Sequence, residues 1–225
     1  MDRLGIMSPG RFPSAQMSPL LRRCLEMSVR KLAGEFRGVF STETVARYMS
    51  ASYELVGDRP TVGPNFVPVI IERFAREQLR AVAQATGLVA KPQPELLFVC
   101  ERNAGRSQMA AALAHHVSNG WVSVRSAGSH PDEQIDPVVV RAMNELGIDV
   151  SQEFPKPLTD EVLRAADVVV TLGCGDACAV HAGRRYVDWR VPDPAGQSLE
   201  VVREIRYELF HHVCELLEGV EPHEA

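Results

Sequence analysis

The spacing of apolar residues divides the chain into two blocks. In the first block, roughly residues 27–87, apolar residues recur at helical spacing; Ile70, Ile71 and Phe74, for example, fall on one face. Ser41 suits the N-cap of the second helical segment, and Pro68 suits the first turn of the third. The pattern predicts a small all-α unit of three helices, at about 27–36, 41–56 and 65–86.

Short apolar runs alternate with helical patterns in the second block, which begins at Pro94. The run ELLFVC at 95–100 is almost continuously apolar, as in a strand buried on both faces. Strand–helix alternation predicts an α/β fold, with a four-stranded parallel sheet and helices on both faces. The predicted strands are 95–100, 121–128, 166–173 and 184–189.

A proline-containing segment without periodicity, GLVAKPQPE at 87–95, separates the blocks and predicts a linker. We therefore predict a helical N-terminal domain at 27–90 and an α/β domain at 94–219. The first 26 residues contain proline, serine and arginine without a long apolar stretch, and we interpret 1–26 as a disordered leader.

Composition and charge exclude several classes of partner. The 225 residues carry a formal net charge of −5, with a pI of about 5.8, which argues against binding to nucleic acid or to an anionic membrane. The five cysteines form an odd set, and no secretory apolar region precedes them. These features predict a cytoplasmic protein with free thiols. Any anion-binding site must therefore depend on a local group of positive charges and not on the net charge of the protein.

The loop after the first strand carries the candidate chemistry. Cys100 ends the strand, and Arg106 follows five intervening residues at the start of a predicted helix. Backbone N–H groups in such a turn point towards one centre and form a cradle for an oxyanion, which the Arg106 guanidinium can also grip. The same positive field favours the Cys100 thiolate. The alternative is a buried cysteine followed by a surface arginine.

The residues within this loop have separate predicted tasks. Gly105 permits a turn that a β-carbon would resist, and Asn103 is suited to hold the loop through side-chain hydrogen bonds. Ser107 is placed to donate its hydroxyl to Cys100. The full predicted oxyanion-binding set is Glu101, Arg102, Asn103, Ala104, Gly105, Arg106 and Ser107.

Several motifs resemble a known family. FVCERNAGRSQMA, VRSAGSHP, DVVVTLGCGDAC and DPAG are similar to the low-molecular-weight protein tyrosine phosphatase superfamily, and to its arsenate reductase branch in particular. The greatest similarity is to the mycothiol-dependent type with a helical N-terminal extension. The resemblance implies a thiol-dependent arsenate reductase in which Cys100 attacks arsenic, or resolves an arseno-thiol adduct, and Asp193 carries the proton.

The same three residues, Cys100, Arg106 and Asp193, also suit an alternative function as a tyrosine phosphatase or phosphomonoesterase. In tyrosine phosphatases of this fold an aromatic residue follows the Asp-Pro pair, whereas Ala195 follows it here, which argues against phosphotyrosine. Alternatively, Asp193 belongs to an ordinary Asp-Pro turn and has no catalytic role. A third alternative is an anion-sensing protein whose cradle has been disabled by Glu101.

The reductant is less well defined by the sequence. Cys174 and Cys178 could join a disulfide relay with Cys100, or stay inert while a low-molecular-weight thiol resolves it. A metal site that uses His181 lacks a recognisable fourth ligand, so we predict no metal. The resemblance implies mycothiol as co-substrate with a glutaredoxin-like partner and no tightly bound cofactor. We also expect the helical domain to mediate a homodimer.

The charged pair Glu101-Arg102 departs from the family pattern. Because the cradle is made of backbone groups, an outward Glu101 is tolerated. An inward Glu101 would repel an oxyanion, although Arg102 could offset its charge. The sequence therefore leaves the direction of these two side chains as the open question.

Overall fold

A computed structural model describes residues 17–57, 66–173 and 180–221 of the chain. The chain divides into two compact units, residues 1–89 and 90–225. This division falls within the segment 87–95 that separates the two sequence patterns. Across the described ranges, no helix is both long enough and apolar enough to cross a membrane.

The N-terminal unit contains three helices: α1 (Pro19–Glu35), α2 (Thr42–Val56) and α3 (Val67–Ala85). Ser41 caps α2 by accepting a hydrogen bond from the Thr44 N–H, and Pro68 lies in the first turn of α3. The three helices bury one apolar face each against the others, so the predicted all-α unit is confirmed. The fully buried side chains include Leu25, Leu32, Val45, Met49, Ile71 and Leu79.

Helix α1 is longer than the sequence analysis predicted. It begins at Pro19, and Ser18 caps it by accepting a hydrogen bond from the Leu21 N–H at 3.2 Å. Residues 19–26, which we assigned to a disordered leader, are therefore helical. A serine followed by proline is a strong helix-start signal, and Leu25 is fully buried, so the first two turns of α1 have a core to pack against. Residues 1–16 lie outside the described part.

The C-terminal unit is built on four parallel strands: β1 (Glu95–Cys100), β2 (Ser123–Gly128), β3 (Val168–Leu172) and β4 (Arg185–Asp188). Their order across the sheet is β2-β1-β3-β4. The helices are α4 (Arg106–Ser118), α5 (Pro137–Asn144), α6 (Asp160–Ala165) and α7 (Leu199–Glu218). The predicted four-stranded parallel sheet is confirmed.

Helices cover both faces of this sheet. Alternate residues of the central strands, such as Phe98 and Val170, share one core with buried side chains of α4, α5 and α7. Leu97 and Val99 point to the opposite face and are also fully buried, and α6 contacts β1. Burial on both faces explains why β1 reads as a nearly continuous apolar run.

One charged pair is buried at the start of the sheet. Glu95 is fully buried and forms an ion pair with Arg125 on the neighbouring strand β2. Burial raises the pKa of Glu95, and the charges of Arg125 and Lys91 offset only part of that effect. Because this pair lies at the first residue of β1, it is at the opposite end of the strand from Cys100.

The register of the strands aligns their carboxyl ends. Cys100 pairs with Gly128 of β2 and with Leu172 of β3, and Thr171 pairs with Asp188 of β4. The loops after these strands therefore leave the sheet at one edge. In open parallel sheets this is the edge where ligands bind.

We expect Phe98→Ala to lower the free energy of unfolding of the C-terminal unit by about 3–5 kcal/mol, because it leaves a cavity beside Trp189. Phe98 is fully buried, and its ring centroid lies 5.7 Å from that of Trp189. Urea denaturation followed by tryptophan fluorescence reports this unit, because both tryptophans, Trp121 and Trp189, belong to it. The exposed Tyr207→Ala should cost less than about 1 kcal/mol, and equal losses would contradict the core position of Phe98.

Candidate active site

The predicted nucleophile and the predicted clamp flank one strand–helix turn. Cys100 is the last residue of β1, and Arg106 is the first residue of α4, directly after the N-cap Gly105. Cys100 is buried with 2% of its surface exposed. The turn 101–105 thus lies between the sulfur and the positive end of a helix, as an oxyanion cradle requires.

The buried side chain of Asn103 ties this turn to its surroundings. Its Oδ1 accepts hydrogen bonds from the backbone N–H of Lys156 at 2.7 Å and from Gln108 Nε2 at 3.1 Å. Its Nδ2 donates to Ser107 Oγ at 2.8 Å. Because a backbone N–H can only donate, the Lys156 contact fixes which side of the amide is the oxygen. Asn103 is also held in the left-handed region, with φ of 47°.

The directions of these hydrogen bonds determine which donors face the Cys100 sulfur. Ser107 Oγ lies 2.9 Å from Cys100 Sγ and already accepts a hydrogen bond from Asn103. A hydroxyl has one hydrogen and two lone pairs, and we expect Ser107 to donate that hydrogen to the sulfur. The Asn103 backbone N–H also donates to Cys100 Sγ, at 3.2 Å. The Asn103 N–H and the Ser107 hydroxyl thus both lie within hydrogen-bond distance of the predicted nucleophile.

A glycine at the end of β3 makes room for the Arg106 guanidinium. Gly173 has φ of 71°, and a β-carbon there would lie 2.7 Å from Arg106 Nη1. The Arg106 side chain is only 11% exposed. The position of the guanidinium therefore depends on the backbone that follows β3, 67 residues further along the chain than Arg106.

Asp193, in the loop after β4, accepts hydrogen bonds from three directions. Arg106 Nη2 donates to Oδ2 at 3.0 Å, while Arg102 Nη2 and the Ala195 N–H donate to Oδ1, each at 2.9 Å. Partial burial raises the pKa of Asp193, but the Ala195 N–H and the charges of Arg106 and Arg102 outweigh it, so the pKa lies below its ordinary value. The carboxylate therefore rests as an anion at neutral pH.

The loop that carries Asp193 packs directly on the cradle. A β-carbon at Gly105 would lie 2.5 Å from Pro194 Cγ, closer than any real contact of that kind. The absence of a side chain at Gly105 thus lets the Asp-Pro segment approach the turn. Asp193 is therefore more than a residue that forms a turn, because its carboxylate contacts Arg102 and Arg106 and the next residue, Pro194, packs on Gly105.

The side chains of Glu101 and Arg102 point in different directions. Glu101 is exposed, and its carbonyl accepts a hydrogen bond from the His130 N–H at 2.8 Å. Arg102 turns towards the loops after β2 and β4, where it pairs with Asp132 at 3.2 Å and with Asp193. Glu101 therefore has the outward orientation, one of the two that the sequence left open. The hypothesis that Glu101 disables the cradle loses its structural basis.

The two other cysteines of interest, Cys174 and Cys178, lie outside the described residues. His181, the residue considered as a metal ligand beside them, has its Nε2 2.9 Å from Asp160 Oδ1 at the start of α6. The participation of Cys174 and Cys178 in a redox relay stays a prediction.

Comparison with known families agrees with this geometry. The family described as low molecular weight phosphotyrosine protein phosphatase matches residues 95–223, which is more than half of the chain. The chain belongs to this family. A second family, the N-terminal domain of protein-tyrosine-phosphatase-like proteins, matches residues 25–83. The two matches correspond to the α/β unit and the helical unit of this phosphatase-family protein.

Relatives of this phosphatase-family chain carry the name arsenate reductase. The putative arsenate reductase of Halobacterium salinarum is 36% identical over 134 residues, which is 56% of this chain and 92% of that protein. The glutaredoxin arsenate reductase of Synechocystis is 36% identical over 129 residues, 55% of this chain and 95% of that protein. These matches confirm the resemblance to the arsenate reductase branch that the sequence motifs indicated.

One solved structure is similar over both units. The thioredoxin-dependent arsenate reductase of Corynebacterium glutamicum has 41% sequence identity and a TM-score of 0.79, and the match covers 88% of this chain and 96% of that one. An arsenate reductase in a phosphate-binding state matches with 33% identity and a TM-score of 0.51, over 57% of this chain and all of that chain.

Sequence reasoning missed three contributors to the site. Gln108 holds Asn103, Gly173 makes room for Arg106, and Asp132 holds Arg102. Gln108 carried a usable signal, since it is a polar residue in a helix turn otherwise made of small or apolar side chains. Gly173 ends a predicted strand and lies in the motif DVVVTLGCGDAC, but its clearance for Arg106 could not be read from the sequence, and Asp132 carried no signal of its own.

We expect Ser107→Ala to slow the alkylation of Cys100 by iodoacetamide at pH 7 by about 3–10-fold, which corresponds to the loss of one hydrogen bond to the thiolate. The rate is measured on the Cys100 peptide by mass spectrometry, so that the other thiols do not interfere. Ser118→Ala, at the other end of the same helix, serves as the matched control. An unchanged rate in Ser107→Ala would contradict the proposed direction of the hydrogen bond.

We expect Glu101→Val to leave the affinity for arsenate unchanged within about 2-fold, because an exposed charge interacts weakly with a site it does not face. Affinity is measured as the arsenate concentration that protects Cys100 from alkylation. Arg106→Gln is the positive control and should weaken protection strongly. A clear gain in affinity in Glu101→Val would show that the carboxylate faces the cradle in solution.

Proposed function

We propose that this protein is a thiol-dependent arsenate reductase with Cys100 as nucleophile, Arg106 as oxyanion clamp and Asp193 as proton carrier. The observation that carries the proposal is the buried Cys100 sulfur, which accepts a hydrogen bond from the Asn103 N–H of its own loop and lies 2.9 Å from Ser107 Oγ in the helix that Arg106 begins. The names of the relatives over the same unit support arsenate as the substrate.

In the first step the Cys100 thiolate attacks the arsenic of dihydrogen arsenate. An S–As bond forms, an As–O bond breaks, and one proton from Asp193 lets the departing oxygen leave as water. Arg106 and the backbone N–H groups of the turn offset the negative charge on the three remaining oxygens. Because Asp193 rests as an anion, it must take up a proton before this step.

The second step transfers two electrons. A second thiolate attacks Cys100 Sγ, the S–As bond breaks, and its electron pair leaves with arsenic. Arsenic is thereby reduced from the +5 to the +3 state, and the two sulfurs are oxidised to a disulfide. A further thiol then reduces that disulfide and returns Cys100 to the thiol form.

The site favours a small oxyanion over an aryl phosphate. A relative has been solved in a phosphate-binding state, which supports a tetrahedral oxyanion as the bound species. Ala195 and Gly196 follow Pro194 where tyrosine phosphatases of this fold carry an aromatic residue, so there is no side chain at these positions to stack on a phenyl ring.

Two sources of the second thiol are open to test. The sequence motifs favour mycothiol with a glutaredoxin-like protein, whereas the relative that matches both units is named thioredoxin-dependent. A thioredoxin route needs a resolving thiol on this chain, and Cys174 and Cys178 are the sequence candidates. A homodimer through the helical unit also stays a prediction.

The reductant is identified by assaying arsenate reduction with mycothiol, glutathione and thioredoxin in parallel. The double variant Cys174→Ser/Cys178→Ser separates the two routes. It should keep mycothiol-coupled turnover and lose thioredoxin-coupled turnover, because only the latter needs a relay within the chain.

Phosphatase activity is the second candidate, because the family is described as phosphotyrosine protein phosphatases and its catalysis would use the same three residues. A burst of product from an aryl phosphate, independent of added thiol, would favour it. Arsenate-dependent oxidation of thiol with only slow hydrolysis of the aryl phosphate would favour the reductase.

We expect Cys100→Ser to abolish arsenate reduction and Asp193→Asn to lower kcat by about 10²-fold or more, the range that general acid catalysis supplies. Turnover is followed as arsenate-dependent oxidation of the reductant found above. Cys214→Ser, on helix α7, is the matched control and should retain activity. Full activity in Cys100→Ser, or no arsenate-dependent oxidation of any thiol by the unmodified protein, would refute the proposed reaction.

A further inference from the structure

Arg102 connects three loops at the mouth of the cradle. Its Nη1 donates to Asp132 Oδ2 at 3.2 Å in the loop after β2, and its Nη2 donates to Asp193 Oδ1 at 2.9 Å in the loop after β4. The Arg102 carbonyl also accepts the Asp132 N–H at 2.9 Å. Its backbone and both ends of its guanidinium are thereby held in one orientation.

These contacts contribute little to folding. The side chains of Arg102, Asp132 and Asp193 are 35%, 42% and 41% exposed, and ion pairs with this exposure are typically worth less than about 1 kcal/mol. The arrangement is better explained by what Arg102 does to Asp193 than by what it adds to stability.

Asp193 divides its carboxylate between two arginines. Oδ2 contacts Arg106 Nη2, and Oδ1 contacts Arg102 Nη2 and the Ala195 N–H. In the proposed function, Arg106 is the residue that grips the substrate oxyanion. An oxyanion in the cradle therefore competes with Asp193 for Arg106, and only the contacts to Oδ1 are independent of that competition.

We propose that Arg102 is a positioning residue that retains the Asp193 carboxylate at the mouth of the cradle when the bound oxyanion takes over Arg106. This inference rests on the proposed function and deepens it. Arg102 does not need to touch the oxyanion. It keeps the proton carrier beside the oxygen that leaves.

The charges at the mouth support this role. Arg102 and Arg106 are positive there, while Asp132 and Asp193 are negative. Among the described residues, Arg102 and Arg106 form the ion pairs of Asp193, so without Arg102 an incoming oxyanion would compete with Asp193 for its remaining partner. Repulsion would then drive Asp193 away from the cradle.

A double-mutant cycle between Arg102 and Asp193 tests the proposal. The variants are Arg102→Gln, Asp193→Asn and the double variant, with Arg102→Lys as the conservative change. Arg190→Gln, an exposed arginine of the loop that precedes Asp193, is the matched control for the loss of one positive charge. Both kcat and KM for arsenate are measured with the reductant that supports the unmodified protein.

We expect Arg102→Gln to lower kcat about 10-fold and to change KM less than about 3-fold, because the proton carrier is misplaced while the cradle remains. In the Asp193→Asn background the same change should alter kcat less than about 2-fold. Arg102→Lys should restore part of kcat, and Arg190→Gln should have no effect.

Three results would overturn the proposal. An unchanged kcat in Arg102→Gln would do so, as would an equal loss in the Asp193→Asn background. A loss confined to KM would show instead that Arg102 binds the oxyanion itself. If the unmodified protein does not reduce arsenate, the proposed function fails, and the same variants are compared in hydrolysis of p-nitrophenyl phosphate, which uses the same proton carrier. Failure of both reactions would overturn both proposals.

Discussion

The buried amide of Asn103 is the contact on which the arrangement of this site depends. It joins the loop after β1 to helix α4 through Ser107 and Gln108, and to the segment before α6 through the Lys156 N–H. A buried polar group is costly unless each of its hydrogen bonds is made, so the amide locks the turn in one shape. That shape sets the donors that Cys100 receives.

The parallel sheet provides the frame in which this contact is useful. Its register brings the carboxyl ends of β1, β2 and β3 level, so that residues far apart in sequence meet at one edge. Two glycines complete the approach: Gly173 leaves space for the Arg106 guanidinium, and Gly105 leaves space for Pro194. The fold therefore contributes positions and clearances, while the chemistry comes from a few side chains.

An acidic protein can hold an anion because its positive groups are local. The chain carries a net charge of −5, yet Arg102 and Arg106 both point to the mouth of the cradle, and Asp193 lies between them. Asp193 contacts one nitrogen of the guanidinium that binds the substrate oxyanion in the proposed function. Under that proposal, the affinity of the site is the difference between two anions competing for the same cation, rather than the strength of one contact.

The sequence by itself determined the features that local physics specifies. We could predict the buried strand, the turn from Cys100 to Arg106 and the helix after it, because each depends on neighbours within a few residues. The early start of α1 was missed although Ser18 and Pro19 form a local start signal, because the burial of Leu25 that supports this end of the helix is decided by the packed core. Tertiary structure alone decided that Arg102 faces Asp193, which lies 91 residues away, and that Glu101 faces solvent. Side-chain direction in a loop depends on which distant loops fold against it, and the order of residues does not encode that contact locally.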